Sequence, residues 1–435
     1  METRGDLAGM RILVDTYNLR LSTGTGIKMY GLSLIEALQQ LEVDVSLLTD
    51  FAMKTKYRQL EEVLIYDVKE SVRQRWWHIA LLRLRKLRGV VNRLRAGHVQ
   101  VDKVIPGERF GNQIAVSTLF NLPQCYLLAD ATYRALRWLT RLELPTKVDV
   151  WHATYPLPLR VRRAKLVTTV HDLIPLKLPY MTLDDKQVFY CKVRDALRDS
   201  ALIFAVSECT KRDILSFYDV PEEKIVVTYQ ALPNVLQWPG ETLAASILKQ
   251  YRLEPGKYIL FVGNIEPKKN VRTLLQAVSM LQTNMPLVIV GRKAWLWEDQ
   301  VREVEALFGP PHRNRERVRW REDVASWALG ALYAHAACFV FPSLYEGFGL
   351  PPLEAMRFGC PVISSNTSSL PEICGNAALY VDPHKPAQMA EVIAQLLDNQ
   401  ELREQLITAG YKRAEFFSMA NYAERLLTAY SQLSV

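Results

Sequence analysis

Short apolar segments alternate with longer amphipathic segments along nearly the whole chain of 435 residues. This alternation is typical of βα units that build a parallel sheet, and it restricts the possible folds more than any other feature. Helices are predicted between several strands, for example over residues 27–41 and 207–218. The predicted strands have the sequences RILVD, VDVSLL, VDVWHAT, KLVTTV, ALIFAV and KIVVTY in the first half, and YILFVG, PLVIVG, CFVFPS, CPVISS and AALYVD in the second.

The chain is too long for one ordinary hydrophobic core, so two domains are expected. Prolines and glycines cluster at residues 232–256 and predict a hinge there. We therefore predict an α/β fold of two doubly wound, Rossmann-like domains that face each other across a cleft. The N-terminal domain comprises residues 1–240, the C-terminal domain residues 250–415, and a helix at 416–435 returns to the N-terminal domain. Functional residues are expected just after the strands, because open α/β sheets bind ligands there.

Charge and composition limit the class of partner. The net charge of +8 and the isoelectric point near 9.0 predict an anionic partner, such as a nucleotide or a lipid surface. No sequence pattern typical of nucleic-acid binding occurs, so nucleic acid is not expected as a partner. The six cysteines form no CxxC pair, which favours reduced thiols in a cytoplasmic protein over disulfides or a zinc site. No apolar run is long enough to predict a transmembrane helix.

Two loops that follow predicted strands contain candidate anion-binding residues. Gly24 and Gly26 precede a helix and allow the backbone to approach a ligand closely, although an ordinary loop-to-helix turn explains them equally well. Lys268 and Lys269 lie between a strand end and a helix start, where cations commonly meet phosphates. A solvated basic turn is the alternative interpretation of this lysine pair.

The loop EGFGLPPLEAM, which follows the strand CFVFPS, contains two glutamates. Pro351 and Pro352 suit the first turn of a helix, where their missing N–H groups are not needed. Glu354 is predicted in that turn, where the helix dipole keeps its carboxylate ionised and able to accept both hydroxyls of a ribose. Glu346 is placed for another part of the same ligand. Helix capping by Glu354 and solvent exposure of Glu346 remain the alternative.

This loop resembles the E-x7-E signature of the retaining glycosyltransferases of family 4, with Glu346 and Glu354 as its two glutamates. FVGNIEPKKN resembles the family's phosphate-binding turn, VTTVHDLIPL its histidine loop, and SLPEICGNAALYVDP the segment after the signature. VSECTKRDI and the loop with Gly24 and Gly26 are similar to its N-terminal pattern. These segments follow one another in the family's order along nearly the whole chain. The resemblance implies the GT-B fold, with the donor nucleotide held mainly by the second domain.

The resemblance also implies a role for each matching residue. Lys269 would stabilise the donor diphosphate, Glu346 the transferred sugar in its oxocarbenium-like state, and Glu354 the ribose. His171 would face the sugar from the first domain. It implies transfer with retention of anomeric configuration and without a metal or other cofactor. The other implied substrate-binding residues are Gly24, Gly26, Lys268, Val324, Gly349 and Leu350.

Two positions depart from the family pattern. Many relatives have an arginine where this chain has Asn264, so the neighbouring Lys268 is expected to supply the second positive charge. Relatives often have a glycine shortly before Val324, where this chain has Glu322 and Asp323. This second departure changes the loop around Val324, which the resemblance implies would recognise the nucleotide base.

Residues 71–97 contain eight Arg or Lys and no acidic residue. Their apolar residues follow helical spacing, which predicts either an interfacial helix on an anionic membrane or a core helix with solvated arginines. These apolar residues are Trp77, Ala80, Leu84, Leu87, Val91 and Leu94.

The favoured function is transfer of mannose from GDP-mannose to a glycan or lipid-linked acceptor in surface polysaccharide synthesis, in the cytoplasm and at the inner face of the membrane. A nucleotide-sugar epimerase of GT-B fold and a non-catalytic, membrane-associated partner subunit are the alternatives.

Overall fold

The computed structural model describes residues 7, 9–19, 26–50, 93–99, 109–110, 114–115, 118–233, 236–308, 317–322 and 324–433. The strands of the first half are β1 (Arg11–Asp15), β2 (Asp44–Thr49), β3 (Arg93–Arg95), β4 (Gly97–Val99), β5 (Arg109–Phe110), β6 (Ile114–Ala115), β7 (Thr118–Asn121), β8 (Thr140–Glu143), β9 (Val150–Ala153), β10 (Leu159–Val161), β11 (Lys165–Val170), β12 (Leu202–Ala205) and β13 (Ile225–Val227). Those of the second half are β14 (Ile259–Val262), β15 (Leu287–Val290), β16 (Val318–Arg321), β17 (Cys338–Phe341), β18 (Val362–Ser365) and β19 (Ala378–Val381).

The α-helices are α1 (Gly26–Gln40), α2 (Cys125–Leu136), α3 (Ile174–Lys177), α4 (Lys186–Asp199), α5 (Glu208–Phe217), α6 (Glu241–Tyr251), α7 (Val271–Met280), α8 (Trp297–Phe308), α9 (Ser326–Ala334), α10 (Leu350–Arg357), α11 (Leu370–Cys374), α12 (Pro386–Asp398), α13 (Gln400–Phe416) and α14 (Met419–Tyr430). Short 3-10 turns cover Pro179–Met181, Glu222–Lys224, Pro267–Lys269 and Gly375–Ala377. None of the helices in these described ranges is both long and apolar enough to span a membrane.

The N-terminal half forms an eight-stranded sheet in the order β13-β12-β11-β9-β1-β2-β7-β4. All neighbouring strands are parallel except β4, which runs antiparallel to β7. The first strand lies in the middle and later strands extend the sheet on both sides of it, which makes the sheet doubly wound. A smaller parallel sheet, β10-β8-β3, adjoins it. The predicted fold class is confirmed for this half.

The C-terminal half forms a six-stranded, fully parallel sheet in the order β16-β15-β14-β17-β18-β19. Counted from its own first strand, this is the order 3-2-1-4-5-6 of the dinucleotide-binding Rossmann fold. β14, β15 and β17 are almost entirely buried, because helices cover both faces, and this explains their continuous apolar runs. The switch point of the sheet, where its strand order reverses, lies between β14 and β17.

The predicted amphipathic helix is wrong at its C-terminal end. Residues Arg93–Arg95 form β3 and Gly97–Val99 form β4, so Leu94 is in a strand and cannot continue a helical face. Pairing with β8 overrides the helical spacing of this apolar residue. The preceding part of the predicted helix, residues 71–92, lies outside the described residues.

The last helix, α14, packs against α1 of the N-terminal half. Its Tyr430 is fully buried, and the Tyr430 hydroxyl hydrogen-bonds Nδ1 of His152. Burial lowers the pKa of His152 to about 3, so this imidazole is neutral at pH 7. His152 Nε2 lies 2.7 Å from Thr169 Oγ1, which in turn lies 2.7 Å from the hydroxyl of Tyr30. The end of the chain is thus tied to the middle of the N-terminal sheet.

Tyr430→Phe is expected to lower the free energy of unfolding by about 1–3 kcal/mol, because it leaves a buried ring nitrogen of His152 without a partner. Urea denaturation followed by circular dichroism measures this difference. Tyr180→Phe is the matched control, since Tyr180 is 71% exposed and should unfold like the wild type. Equal stability of the two variants would contradict the assigned hydrogen bond.

Candidate active site

The two loops at the switch point of the C-terminal sheet bring Lys269 and Glu346 together. The first loop follows β14 and the second follows β17, and these strands are direct neighbours. The backbone N–H of Leu344 donates to the carbonyl oxygen of Lys268 at 2.8 Å, which joins the loops. Lys269 Nζ donates to Glu346 Oε1 at 2.6 Å, and both side chains are nearly buried. Residues that are 77 positions apart therefore form one charged centre.

The charges at this centre are balanced. Burial alone would raise the pKa of Glu346, but Lys269 and Lys268 together hold this pKa below its usual value. Burial likewise acts to lower the pKa of Lys268, and the carboxylates of Glu346, Glu266 and Asp172 overcome it and raise that pKa. The carboxylate therefore stays ionised at neutral pH, and Lys268 stays charged beside it. An anion that entered the centre would meet two lysines.

Asn270 fixes the turn that presents the lysines. It adopts a left-handed backbone conformation with φ of 57° and ends the short turn Pro267–Lys269. Its side-chain Nδ2 donates to the carbonyl oxygens of Pro342 at 3.1 Å and Pro383 at 2.7 Å. Asparagine tolerates this conformation better than most residues do. The sequence motif contained Asn270, but only the fold shows that this residue positions Lys269.

The two prolines of the signature lie in the first turn of α10, as predicted, and the helix begins at Leu350. Gly349 precedes the helix with φ of 121°, where a Cβ atom would lie 2.8 Å from Leu370 Cδ2. In the described residues, the amides of Gly349 and Leu350 donate no hydrogen bond. They are therefore available to a ligand at the N-terminus of α10.

The expectation that the helix dipole keeps Glu354 ionised is wrong for the unliganded protein. Glu354 is the fifth residue of α10, and the dipole effect falls off within the first turn. Burial raises its pKa to about 7, against the opposing effects of the Tyr333 hydroxyl and Arg357. The Tyr333 hydroxyl donates to Glu354 Oε2 at 3.0 Å. Glu354 is thus half-buried and close to half-protonated at neutral pH.

His171 faces this centre from the N-terminal domain, directly after β11. Burial lowers its pKa to about 4, so its ring is neutral at pH 7. Nε2 lies 2.9 Å from the carbonyl oxygen of Thr154, and therefore Nε2 carries the proton and donates it. Nδ1 is left as a hydrogen-bond acceptor. The ring of Tyr30 packs edge-on against His171, with 4.8 Å between the ring centroids, and fixes its orientation.

A buried carboxylate holds the loop that supports His171. Asp15, at the end of β1, accepts the backbone N–H of Thr154 at 2.5 Å and the Thr154 hydroxyl at 3.1 Å. Because β1 and β9 are the neighbouring strands at the switch point of the N-terminal sheet, these residues meet there. Burial raises the pKa of Asp15 to about 6 despite these hydrogen bonds.

The signature loop touches the N-terminal domain directly. The carbonyl oxygen of Gly347 accepts hydrogen bonds from Ser207 Oγ at 2.7 Å and Thr210 Oγ1 at 3.3 Å. Glu372, from the C-terminal domain, accepts the backbone N–H groups of Glu208 at 2.6 Å and Cys209 at 3.0 Å. Both contacts are made to the N-terminal end of α5. No local sequence pattern predicts these contacts.

A cavity of about 360 Å³ lies between the domains beside the charged centre. Lys268, Glu266 and Trp295 line it from the C-terminal side. The N-terminal side contributes Ile27, Tyr155, His171, Asp172, Ile174, Pro175, Met181, Thr182, Leu183, Asp184 and Phe189. Of the predicted site residues, the structure thus places His171 and Lys268 on opposite walls of one cavity.

The remaining predicted residues lie elsewhere. Gly24 lies outside the described residues. Gly26 is exposed at the start of α1, where an added Cβ atom would meet no atom within 4 Å, so the described backbone does not require a glycine there. Val324 is half-buried after β16. Lys293 Nζ, which lies 3.7 Å from Glu322 Oε1, is 4.1 Å from the ring centroid of Trp297 and 4.7 Å from that of Trp320.

One departure from the family pattern is visible at the site. Asn264 is exposed in the loop after β14. The position at which many relatives have an arginine thus carries no charge here. Lys268 lies in the same loop, and its charge acts on the Glu346 carboxylate. In the described part of the chain, no group of three or more His, Cys, Asp or Glu side chains is placed to hold a metal ion.

Comparisons with known proteins agree with this geometry. Residues 246–413 match the family model "Glycosyl transferases group 1", and residues 88–232 match "Glycosyltransferase Family 4". The chain is 35% identical over 294 residues to O-antigen chain mannosyltransferase B of Escherichia coli, which covers 65% of this chain and 74% of that one. It is 30% identical over 278 residues to the serotype-specific mannosyltransferase WbdA of Escherichia coli. That alignment covers 62% of this chain and only 34% of WbdA.

The fold is similar to that of sucrose-phosphate synthase from Thermosynechococcus elongatus. The two structures superpose with a TM-score of 0.66 at 15% identity, over 97% of this chain and 98% of the other. At this identity the likeness concerns the fold alone. Together with the two Rossmann-like sheets and the E-x7-E loop, these matches show that the chain is a glycosyltransferase of GT-B fold that belongs to family 4, among the relatives of the O-antigen mannosyltransferases.

Proposed function

We propose that the protein transfers mannose from GDP-mannose to a hydroxyl group of a glycan or lipid-linked acceptor, with retention of anomeric configuration, in surface polysaccharide synthesis. The buried Lys269–Glu346 pair at the switch point carries this proposal. The pair would supply a cation for a diphosphate and a carboxylate for a sugar, and it lies at the position where Rossmann folds bind their ligands. The mannosyltransferases among the relatives support the choice of sugar.

Lys269 and Lys268 would hold the donor diphosphate and stabilise the charge that develops on it as the sugar departs. The amides of Gly349 and Leu350 would add hydrogen bonds at the N-terminus of α10. These charges and dipoles belong to the chain itself, so we propose that the reaction needs no bound metal or cofactor. The acceptor hydroxyl would attack on the face that the diphosphate leaves, which preserves the anomeric configuration.

Glu346 would contact the transferred sugar and stabilise its positive, oxocarbenium-like state. The carboxylate is suited to this role because the two lysines keep it ionised in a buried position. Neutral His171 would accept a hydrogen bond from a sugar hydroxyl at Nδ1, since its Nε2 is already engaged by Thr154. The two groups approach from different domains, so both contact the sugar only when the domains are together.

Glu354 would hold the ribose diol, and its raised pKa predicts a pH-dependent affinity for the nucleotide. Only the ionised carboxylate accepts both hydroxyls, so binding must release the proton that Glu354 holds below its pKa of about 7. Well below pH 7, the dissociation constant of GDP should therefore fall about tenfold for each unit by which the pH rises. Above pH 7 it should become constant. Without nucleotide the same group stabilises the fold below pH 4.5, and this contribution is lost as the pH rises through 7.

Isothermal titration of GDP at pH 5.5, 6.5, 7.5 and 8.5 tests this dependence. Glu354→Gln should bind GDP weakly at every pH and lose the slope. Glu223→Gln is the matched control, because Glu223 is exposed and should keep the slope. A pH-independent dissociation constant in the wild type would contradict the role given to Glu354.

The basic segment 71–92 contains six Arg or Lys and no acidic residue. We propose that this segment holds the enzyme at an anionic membrane surface, where a lipid-linked acceptor is available. The protein should then sediment with vesicles that contain phosphatidylglycerol and not with neutral vesicles. Changing Arg83, Arg85, Lys86 and Arg88 together to Glu should abolish sedimentation; unchanged sedimentation would contradict this part of the proposal.

A donor screen tests the central proposal. Nucleotide release from GDP-, UDP-, dTDP- and ADP-sugars is measured by mass spectrometry with a lipid extract as acceptor, and NMR of the product determines its anomeric configuration. Release from GDP-mannose that is lost in Glu346→Ala, with an α-linked product, is the expected result. Release from another donor would show that the protein is a glycosyltransferase that uses a different sugar nucleotide. Conversion of the donor without any transfer would favour an epimerase, and no reaction at all would favour a non-catalytic subunit.

A further inference from the structure

The N-terminal wall of the inter-domain cavity carries chemistry that the donor does not explain. Asp172 and Asp184 are its ionisable residues besides neutral His171 and the phenol of Tyr155. Among the described residues that line the cavity, the one cation is Lys268, which lies on the opposite wall. Lys186 is near this wall, but its ammonium group donates to the carbonyl oxygen of Thr182 at 2.6 Å. The charged groups of this wall are therefore acidic, and they stand among apolar side chains that include Ile27, Met181 and Phe189.

Asp172 has an unused hydrogen-bonding oxygen beside the charged centre. Its Oδ1 accepts the backbone N–H of Ile174 at 3.0 Å, which fixes the carboxyl group at the start of α3. Its Oδ2 accepts no hydrogen bond from the described residues. Burial raises the pKa of Asp172, while nearby Lys268 opposes this rise. A Cβ atom added at Gly347, the residue after Glu346, would lie 2.9 Å from Asp172 Cβ, so Asp172 lies close to where the proposed transfer takes place.

Tyr155 supplies a donor and an aromatic face on the same wall. Its hydroxyl makes no hydrogen bond within the described residues, and burial with nearby Asp184 and Asp172 raises its pKa, so the phenol stays protonated. The ring of Tyr17, which is 45% exposed, stacks near Tyr155 with 6.3 Å between the centroids. Leu183 is 81% exposed at the cavity. Carboxylates, a phenol and aromatic faces are the groups that suit an uncharged sugar ring with several hydroxyls.

We infer that this wall selects a neutral rather than a phosphorylated acceptor sugar, and that Asp172 accepts a hydrogen bond from an acceptor hydroxyl. The inference rests on the proposed transferase function and names the class of its second substrate. A phosphate group here would face Asp172 and Asp184, and the described residues of this wall supply no cation, so repulsion between like charges disfavours its binding. A sugar hydroxyl would meet one free carboxylate oxygen and one phenol.

Binding of two glycosides to the full chain loaded with GDP tests the inference. The probes are p-nitrophenyl α-D-mannopyranoside and its 6-phosphate, and saturation-transfer NMR gives their dissociation constants. The neutral glycoside should bind at least about tenfold more tightly than the phosphorylated one. Asp172→Asn should weaken binding of the neutral glycoside roughly tenfold, as expected for the loss of a hydrogen bond to a charged group. In the same variant, the dissociation constants of the neutral and the phosphorylated glycoside should differ by a smaller factor than in the wild type.

Asp219→Asn is the matched control. It removes the same charge from an exposed position in the turn after α5, and should bind both glycosides like the wild type. Equal or tighter binding of the phosphorylated glycoside, binding of neither glycoside, or an unchanged constant in Asp172→Asn would each overturn the inference. Donor turnover by the wild type is measured on a GDP-free portion of the same preparation, with the lipid extract as acceptor. Turnover without the predicted glycoside preference refutes only this inference, whereas the absence of turnover refutes the proposed function.

Discussion

Glu346→Gln is expected to lower the turnover of the nucleotide-sugar by roughly 100- to 1000-fold, which is the usual effect of removing one group that stabilises transition-state charge. Glutamine keeps the shape of the side chain and removes only its negative charge. A carboxylate that remains ionised in a buried position acts on a positive sugar much more strongly than it would in water. Nucleotide release at saturating donor measures the change.

The same variant should also reduce the stability of the fold. Lys269 is only 13% exposed at its side chain, and Glu346 only 11%, so the substitution leaves a nearly buried ammonium group without its partner. Breaking a buried ion pair in this way costs about 3 kcal/mol or more. Urea denaturation of the protein without nucleotide should show this loss. Glu223→Gln, at an exposed position, is the control for both measurements.

The double variant Lys269→Met with Glu346→Gln separates the two effects. Removing both charges should restore much of the stability, because no unpaired charge is left, but it should restore none of the turnover. Turnover of Glu346→Gln within a few-fold of the wild type would contradict the catalytic role. Recovery of turnover in the double variant would show that Glu346 acts only through the stability of the loop.

The apolar runs of the sequence predict both sheets well. KLVTTV is β11 in full, and CFVFPS contains β17 from its first residue. These strands are buried on both faces and carry β-branched or aromatic side chains, so local pattern and tertiary environment agree. β16 was not predicted, because its alternating VRWR sequence is only half-buried. Leu94 is predicted in a helix but lies in β3. This strand has only three residues and the neighbours of Leu94 are basic, so the local sequence does not indicate a strand.

The arrangement of the site depends on long-range contacts that no local pattern contains. The sequence identified Lys269 and Glu346 separately, but their contact follows from the adjacency of β14 and β17 in the sheet. The prediction that Glu354 is ionised is wrong because the burial of this side chain depends on α9, whose Tyr333 packs beside it. Asp172 was part of a recognised segment, yet its unused oxygen is a property of the folded cavity. Residue types were thus predictable, whereas burial and partners were not.

Gly347→Ala is expected to abolish most of the turnover, by about 100-fold or more, although glycine and alanine differ by one methyl group. A Cβ atom at position 347 would lie 1.9 Å from the carbonyl oxygen of His171 and 2.9 Å from Asp172 Cβ. The first contact is with backbone of the other domain, which cannot turn aside as a side chain could. The two domains must therefore separate at this point.

Separation of the domains would break several contacts at the signature loop. The hydrogen bonds from Ser207 and Thr210 to the carbonyl oxygen of Gly347 would lengthen or break. His171 would move away from the loop that carries Glu346, and displacements of about 1 Å in a reacting site cost around 100-fold in rate. The substitution changes no residue of either sheet, so the unfolding transition should be preserved. Gly347→Ala should thus impair the closure of the two domains and not their folding.

Small-angle scattering and nucleotide release together test this prediction. The wild type should become more compact when GDP is added, whereas Gly347→Ala should stay extended and release little nucleotide. Gly97→Ala is the matched control, because an added Cβ atom there would meet Asn121 O at 3.8 Å, an ordinary contact within one domain. Full turnover by Gly347→Ala would show that the reaction proceeds without the contact between Gly347 and His171. In that case the contact would be a resting arrangement, and the catalytic geometry would have to be reached by a different approach of the domains.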